Sequence, residues 1–238
     1  MDVKEKEAEI IVSNNETALV QPQQYIPEKT DSLLIRKIFK RLIDILGGIV
    51  GTIVLIPLTI GIAIANLICK DNGPIFYSQY RMGKNGKLFK MYKYRSMVVG
   101  ADEKLKKYLE ENEEARKEYK KYKKLKHDPR VTKVGEFIRK TSLDEFPQFI
   151  NVLKGDMSLV GPRPYLEREK EDMNGYYKYI TTFKPGLTGL WQISGRSDVD
   201  FATRIDLDMQ YYYNHSLKGD IKILFKTAMK LVKREGAL

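Results

Sequence analysis

The run ILGGIVGTIVLIPLTIGIAIANLIC, Ile45–Cys69, carries no charged residue and is dominated by Ile, Leu, Val, Ala and Gly. A bilayer core is about 30 Å thick, and about 20 apolar residues of helix cross it. The run is therefore long enough to be a membrane segment. It does not fit a cleavable leader. It starts far into the chain, exceeds the length of an h-region, and no small-residue cleavage site precedes a polar mature start.

Outward from the run, both flanks are basic. Arg36, Lys37, Lys40 and Arg41 precede it, and Lys70, Arg81, Lys84, Lys87 and Lys90 follow. Basic flanks mark the cytoplasmic side, and here they mark it twice. Pro57, near the centre, removes a backbone donor and crowds the carbonyl four residues earlier. Two readings stay open on physical grounds: a spanning helix with a tolerated proline kink, or a segment that breaks at Pro57 and returns to the side it entered. Charge symmetry favours the second. Carbonyls freed near Ile53 would then need partners such as the Thr52 or Thr59 hydroxyls.

Before the run, Leu34, Ile35, Ile38, Phe39 and Leu42 recur at helical spacing among basic residues, the pattern of a surface helix leading into lipid. Residues 1–30 are polar and aperiodic and read as a flexible tail. After the run, Ile75–Gln79 and Leu88–Tyr94 flank Gly83-Lys84-Asn85-Gly86, and the Asn-Gly pair predicts a β-hairpin. Residues 101–126 are densely charged with a sparse apolar stripe, which predicts one or two exposed amphipathic helices. A short helical piece is expected over Val134–Lys140 and a loop-rich stretch from Phe183 to about Ser197. From Asp220 to Arg234 a basic amphipathic helix carries Ile221, Leu224, Phe225, Ala228, Leu231 and Val232 on one face. It suits a membrane interface or packing onto the core.

The chain has 238 residues and a net charge of +11, which calls for an anionic partner: nucleic acid, acidic lipid or a phosphorylated substrate. No recognition-helix motif or stacking platform is present, so nucleic acid is not expected. Cys69 is the single cysteine, which excludes an intrachain disulfide and a cysteine-built metal centre.

Ser142-Leu143-Asp144-Glu145 has the spacing of a capping box and would set two adjacent carboxylates in the first turn of a helix, where the macrodipole favours their ionised form. An ionised aspartate there can act as a nucleophile, and its neighbour can hold a divalent metal. Equally, Glu145 can cap and Asp144 can complement the dipole, with no reaction at either. Pro147 implies that the helix starts later or bends. Arg139 and Lys140 precede the pair. Gly161-Pro162-Arg163-Pro164 follows it, with Arg163 held extended between prolines to grip phosphate. Lys184-Pro185-Gly186 and Gly195-Arg196 add cations beside glycines. Together these describe a site for a doubly phosphorylated substrate beside a carboxylate pair, with a lipid as the second substrate.

Several long runs, in order, resemble the bacterial sugar transferases, the monotopic phosphoglycosyl transferases. They are TSLDEFPQ (Thr141–Gln148), NVLKGDMSLVGPRP (Asn151–Pro164) and KPGLTGLWQISGR (Lys184–Arg196), together with KRLID (Lys40–Asp44), YKYRSM (Tyr92–Met97) and the apolar run with its central proline. The resemblance covers roughly Arg36 to the C-terminus. It implies an α+β, mainly helical fold. A re-entrant membrane helix hairpin over 31–70, broken at Pro57, would precede a small cytoplasmic catalytic domain over 71–238 with the β-hairpin, amphipathic interfacial helices and a charged helical insertion at 101–126. Ile56, before Pro57, stands where some relatives carry Ser, so one hydroxyl that could satisfy the break is missing.

The same resemblance implies an enzyme that transfers a hexose 1-phosphate from a UDP-sugar to undecaprenyl phosphate and releases UMP. Asp144 would be the nucleophile and Glu145 its partner, the two holding Mg²⁺. Arg95, Arg139, Arg163, Pro164 and Arg196 would bind substrate. The loop Ser194–Phe201 and the insertion at 101–126 look most like galactose phosphotransferases of surface-polysaccharide pathways, with glucose close behind. The chain resembles the minimal form, without extra membrane helices ahead of the catalytic part. Expected partners are both substrates, membrane lipid and a second copy in a homodimer, at the cytoplasmic face of a bacterial inner membrane. The alternative is a membrane-anchored basic binding protein without catalysis.

Overall fold

The apolar run lies within one long helix, α1, Thr30–Ile68, with Pro57 inside it. The computed structural model describes residues 30–122, 125–195 and 199–233. The tail expected over 1–30 therefore lies outside the described residues, apart from Thr30. Helical structure runs on through Pro57, so the break expected there is not a gap in the helix. The hydroxyl of Thr59 donates to Leu55 O at 2.7 Å and lies 2.6 Å from the Tyr94 hydroxyl, so polar groups gather where the proline disturbs the ladder. The carbonyl served is that of Leu55, not Ile53, and the Thr52 hydroxyl has no partner. At its end α1 closes with Lys70 in the left-handed region (φ 55°), and Asp71 N–H returns to Asn66 O at 2.9 Å.

The predicted hairpin is present. Strands β1 (Phe76–Met82) and β2 (Leu88–Tyr94) pair antiparallel, Phe76 opposite Tyr94 and Met82 opposite Leu88. Asn85 and Gly86 turn the chain at φ 56° and 75°. The charged insertion forms α2 (Ala101–Glu111) and α3 (Glu113–Tyr122), closed on Leu105, Ala115 and Leu125. Then come α4 (Lys133–Lys140), α5 (Gln148–Lys154), β3 (Ser158–Val160), α6 (Tyr177–Ile180), β4 (Gly186–Thr188), α7 (Leu190–Ser194), α8 (Phe201–Asn214) and α9 (Leu217–Lys233). The loop expected from Phe183 to Ser197 thus holds a strand and a helix. β4 lies parallel to β3, Ser158 opposite Gly186 and Val160 opposite Thr188.

Val152, Met157 and Val160 form the centre of the main core, with Phe89, Met91, Tyr211 and Ile223 around them. Each such side chain contributes about 1.5–3 kcal/mol by leaving water. The first half of α1 is fastened to this body. Arg41 donates to Val152 O and Leu153 O, both at 2.8 Å, and so caps the C-terminus of α5. Buried Asp44 accepts from the Ser158 hydroxyl (2.9 Å) and Leu159 N–H (2.8 Å). Next along the helix, Gly47, Gly48 and Gly51 lie so close to Leu159, Leu153 and Phe149 that a Cβ would fall 2.6, 2.7 and 2.2 Å from them.

The other faces of α1 are bare and apolar. Ile38 is 67 % exposed and Ile53, Ile56 and Ile60 also lie open, an apolar surface far larger than water-exposed domains carry. By length and composition the helix can cross a membrane. α9 divides its apolar residues: Ile223 and Leu224 pack on the core, while Ile221, Phe225 and Met229 are exposed. Packing and an outward apolar stripe are both realised, on different faces.

Candidate active site

The carboxylate pair sits in a turn, not in a helix. α4 starts on Thr132, whose hydroxyl accepts from Gly135 N–H at 2.9 Å. Ser142 then adopts φ 57°, and Leu143–Glu145 forms a single 3-10 turn before Pro147. The expected capping box is absent, because Ser142 in the left-handed region makes no side-chain cap. As Pro147 implied, the α-helix begins later, at Gln148. Leu143, Phe146 and Ile150 pack against the cluster of Leu55, Ile62, Tyr94, Val134 and Ile138, which anchors the turn to the middle of α1.

Lys93, one residue before Tyr94, meets the pair. Its Nζ lies 2.8 Å from Glu145 Oε1 and 3.6 Å from Asp144 Oδ2. Asp144 is 14 % exposed and Glu145 39 %. Burial pushes the Asp144 carboxyl above its ordinary range. Lys93 opposes that shift, Glu145 adds to it, and Arg139 opposes it. The expectation that a helix N-terminus would hold Asp144 ionised is corrected: Lys93 and Arg139 supply the stabilising charge.

Arg163 and Pro164 belong to a second cluster. The Arg163 guanidinium lies 5.2 Å from the Trp191 ring centre and 5.8 Å from that of Tyr165, and Arg204 lies 5.6 Å from Trp191. Pro164 O accepts from Arg81 Nη1 at 3.1 Å. Burial and the Arg163 charge bring Arg81 and Arg204 down to about 10. The Nε atoms of Arg81, Arg163 and Arg204 and the Trp191 indole nitrogen are buried without hydrogen-bond partners. Two guanidinium groups over one indole, with Arg81 joined to the same cluster through Pro164, make a strong anion subsite. Below them, fully buried Asp208 accepts from Arg163 N–H (3.0 Å) and the Tyr165 hydroxyl (2.8 Å).

Arg95 joins neither cluster. Its three nitrogens donate to Pro74 O (2.6 Å), Met97 O (3.0 Å) and Asp71 (2.8 Å), a brace between the exit of α1 and the hairpin. Arg196 lies outside the described residues. Sequence reasoning missed Lys93, Arg81, Arg204, Trp191 and Asp208. For Lys93 a signal existed: two residues after Met91, it falls on the side of β2 that Phe89 and Met91 bury, and a lysine in that register needs a carboxylate.

A family model described as bacterial sugar transferase matches residues 35–234, from the first turns of α1 through α9. The chain belongs to the bacterial sugar transferase family. Among known members, the undecaprenyl-phosphate galactose phosphotransferase of Salmonella typhimurium is 46 % identical over 95 % of the chain and 46 % of that protein. The UDP-glucose:undecaprenyl-phosphate glucose-1-phosphate transferase of Klebsiella pneumoniae is 40 % identical over 82 % of the chain and 40 % of its own length. The exopolysaccharide production protein ExoY of Rhizobium meliloti is 44 % identical over 85 % of the chain and 90 % of its own length. The chain spans just under half the length of its longer sugar transferase relatives. In this member of the family, the matched region contains the Lys93–Asp144–Glu145 group, the arginine cluster and the apolar helix alike.

Proposed function

We propose that this sugar transferase moves a hexose 1-phosphate from a UDP-sugar to undecaprenyl phosphate at the cytoplasmic face of a bacterial inner membrane. The observation that carries the reading is a half-buried aspartate, Asp144, held beside a lysine on a turn that packs against the membrane helix. Asp144 attacks the β-phosphorus of the donor. The bond from that phosphorus to the bridging oxygen breaks, and UMP leaves with the electron pair. The phosphosugar stays on the carboxylate as an acyl phosphate. A phosphate oxygen of the lipid then attacks the same phosphorus and returns Asp144 to its free form. Lys93 and Arg139 keep Asp144 ionised for the first step, and Arg163, Arg81 and Arg204 grip the nucleotide's diphosphate.

The residues present fit Mg²⁺. Asp144 and Glu145 are adjacent carboxylates that would hold the metal beside the Lys93 ammonium, and magnesium is commonly held by one or two carboxylates completed by substrate phosphates and water. Bound there, it would offset charge on the transferring phosphate.

We read α1 as entering and leaving on one side of the bilayer. Polar residues at both ends of its apolar run contact the same domain: Lys40 pairs with Asp220 at 2.6 Å and Asp71 with Arg95 at 2.8 Å. The sugar is galactose by preference and glucose next, after the named activities of the Salmonella and Klebsiella relatives. Placed there, the enzyme opens assembly of a surface glycan.

A panel of UDP-sugars with undecaprenyl phosphate and Mg²⁺ tests the proposal through UMP release. UDP-galactose should turn over fastest, and Asp144→Ala should lose at least about 10³-fold in kcat. Mass spectrometry of the donor-treated protein without acceptor should place the phosphosugar on Asp144. An adduct on another side chain, or wild-type turnover in the variant, would end the proposal.

A further inference from the structure

We propose that a cavity beside the entry of α1, separate from the carboxylate pair, is a binding site for the phosphate headgroup of a membrane lipid. The cavity measures about 540 Å³, within the range of small-molecule sites. Neither Asp144, Glu145, Lys93 nor Arg139 lines it, so the inference does not depend on the chemistry assigned to Asp144.

Its charge is lopsided. Arg36, Lys37, Lys40, Arg41, Lys84 and Lys184 line it, against Asp44 and Asp220. Both carboxylates are already engaged, Asp44 by Ser158 and Leu159, Asp220 by Lys40 and the Tyr211 hydroxyl. No carboxylate lies within ion-pair distance of Lys84 or Lys184 among the described residues. Lys184 Nζ and Arg41 Nη2 converge on Gly155, 3.3 and 3.6 Å from where its Cβ would stand. Burial and the charges of Arg41 and Lys84 lower the Lys184 pKa, and they outweigh Asp44 and Asp156, which act to raise it.

The remaining walls, with Phe183, Tyr212 and Leu217, are largely apolar. The cavity lies between the start of α1, where Ile35, Ile38 and Phe39 are exposed, and the start of α9, where Ile221 and Phe225 are exposed. Those side chains suit acyl chains, which sets the cationic wall at headgroup level. Lysine and arginine donors there match phosphate oxygens and gain strength in the anionic leaflet.

Two lipids carry this chemistry, an anionic phospholipid and the polyprenyl phosphate acceptor. The test is native mass spectrometry of the full chain in nonionic detergent, titrated with dioleoyl phosphatidylglycerol, undecaprenyl phosphate or dioleoyl phosphatidylcholine. Wild type should retain one anionic lipid at least about fivefold better than phosphatidylcholine. Lys84→Ala/Lys184→Ala should lose about that factor, and Lys84→Arg/Lys184→Arg should restore it. Asp144→Ala should bind as wild type does, which separates failure here from failure of the catalytic proposal. Whichever anionic lipid shows the lysine-dependent retention is the occupant. Lys84→Ala alone, on an exposed turn, keeps the test open should the double variant not fold. Equal retention of phosphatidylcholine, or no loss in the folded alanine variants, overturns the proposal.

Discussion

Lys93 donates to Glu145 Oε1 at 2.8 Å from the end of a β-strand, 52 residues earlier in the chain. Its ammonium also stands 3.6 Å from Asp144, so one cation serves both carboxylates. Removing it leaves the burial of Asp144 unopposed except by Arg139, and the Asp144 pKa rises further. In Lys93→Met the acid limb of the pH profile should move up, costing turnover below that limb and little at alkaline pH. Lys93→Arg should keep the wild-type profile. UMP release across the pH range reads this directly, and an unmoved limb would remove Lys93 from the tuning of Asp144.

Arg163 and Arg95 are both expected substrate residues from the sequence, yet they stand in different settings. Arg163 lies over Trp191 with its Nε unpartnered, whereas Arg95 is spent on Pro74, Met97 and Asp71. Arg163→Lys should raise KM for the UDP-sugar about tenfold through loss of the planar fork, with Tm close to wild type. Arg95→Lys should do the reverse, lowering Tm while KM holds. Paired kinetics and thermal unfolding in detergent separate the two roles.

The legible parts of the fold are those whose signals are local. Asn85-Gly86 marks the hairpin, and the uncharged run marks α1. Helix α8 escaped because its buried face mixes Phe201, Ile205 and Met209 with Arg204 and Asp208, and those charges hide the apolar period. Strands β3 and β4, three residues each, are too short to alternate visibly. At the site, adjacency makes Asp144 and Glu145 stand out. Their cation and the arginine cluster come together only through tertiary packing. The break expected at Pro57 presumed that a lost donor ends a helix, and Thr59 and Tyr94 supply polar contacts beside it instead.

Asp208 should make stability depend on pH. Burial pushes its carboxyl up to about 7, against the Arg163 N–H and the Tyr165 hydroxyl that favour its charged form. The folded value exceeds the unfolded one, so the folded chain holds the proton more tightly. The resulting stabilisation is complete below about pH 4 and is lost as pH rises through about 7, up to roughly 4 kcal/mol in all. Asp208→Asn keeps an acceptor for both donors and should flatten that slope. Tm at pH 5 and pH 8 for the two proteins checks it, and parallel curves would clear Asp208.

Cys69, exposed just past α1, reports the sidedness of the helix without any engineering. A membrane-impermeant maleimide should label it in inverted vesicles and leave it untouched in spheroplasts. The opposite pattern would mean that α1 crosses.

The close seating of Gly47, Gly48 and Gly51 on Leu159, Leu153 and Phe149 means that this anchor is no interchangeable tether. Cutting it away would uncover the greasy flank of α5 and unseat the turn that presents Asp144, so a water-soluble fragment should be an inert one. By the same logic, a small wedge driven into that glycine seam should disturb the Asp144 turn without ever touching the arginine cluster around Trp191.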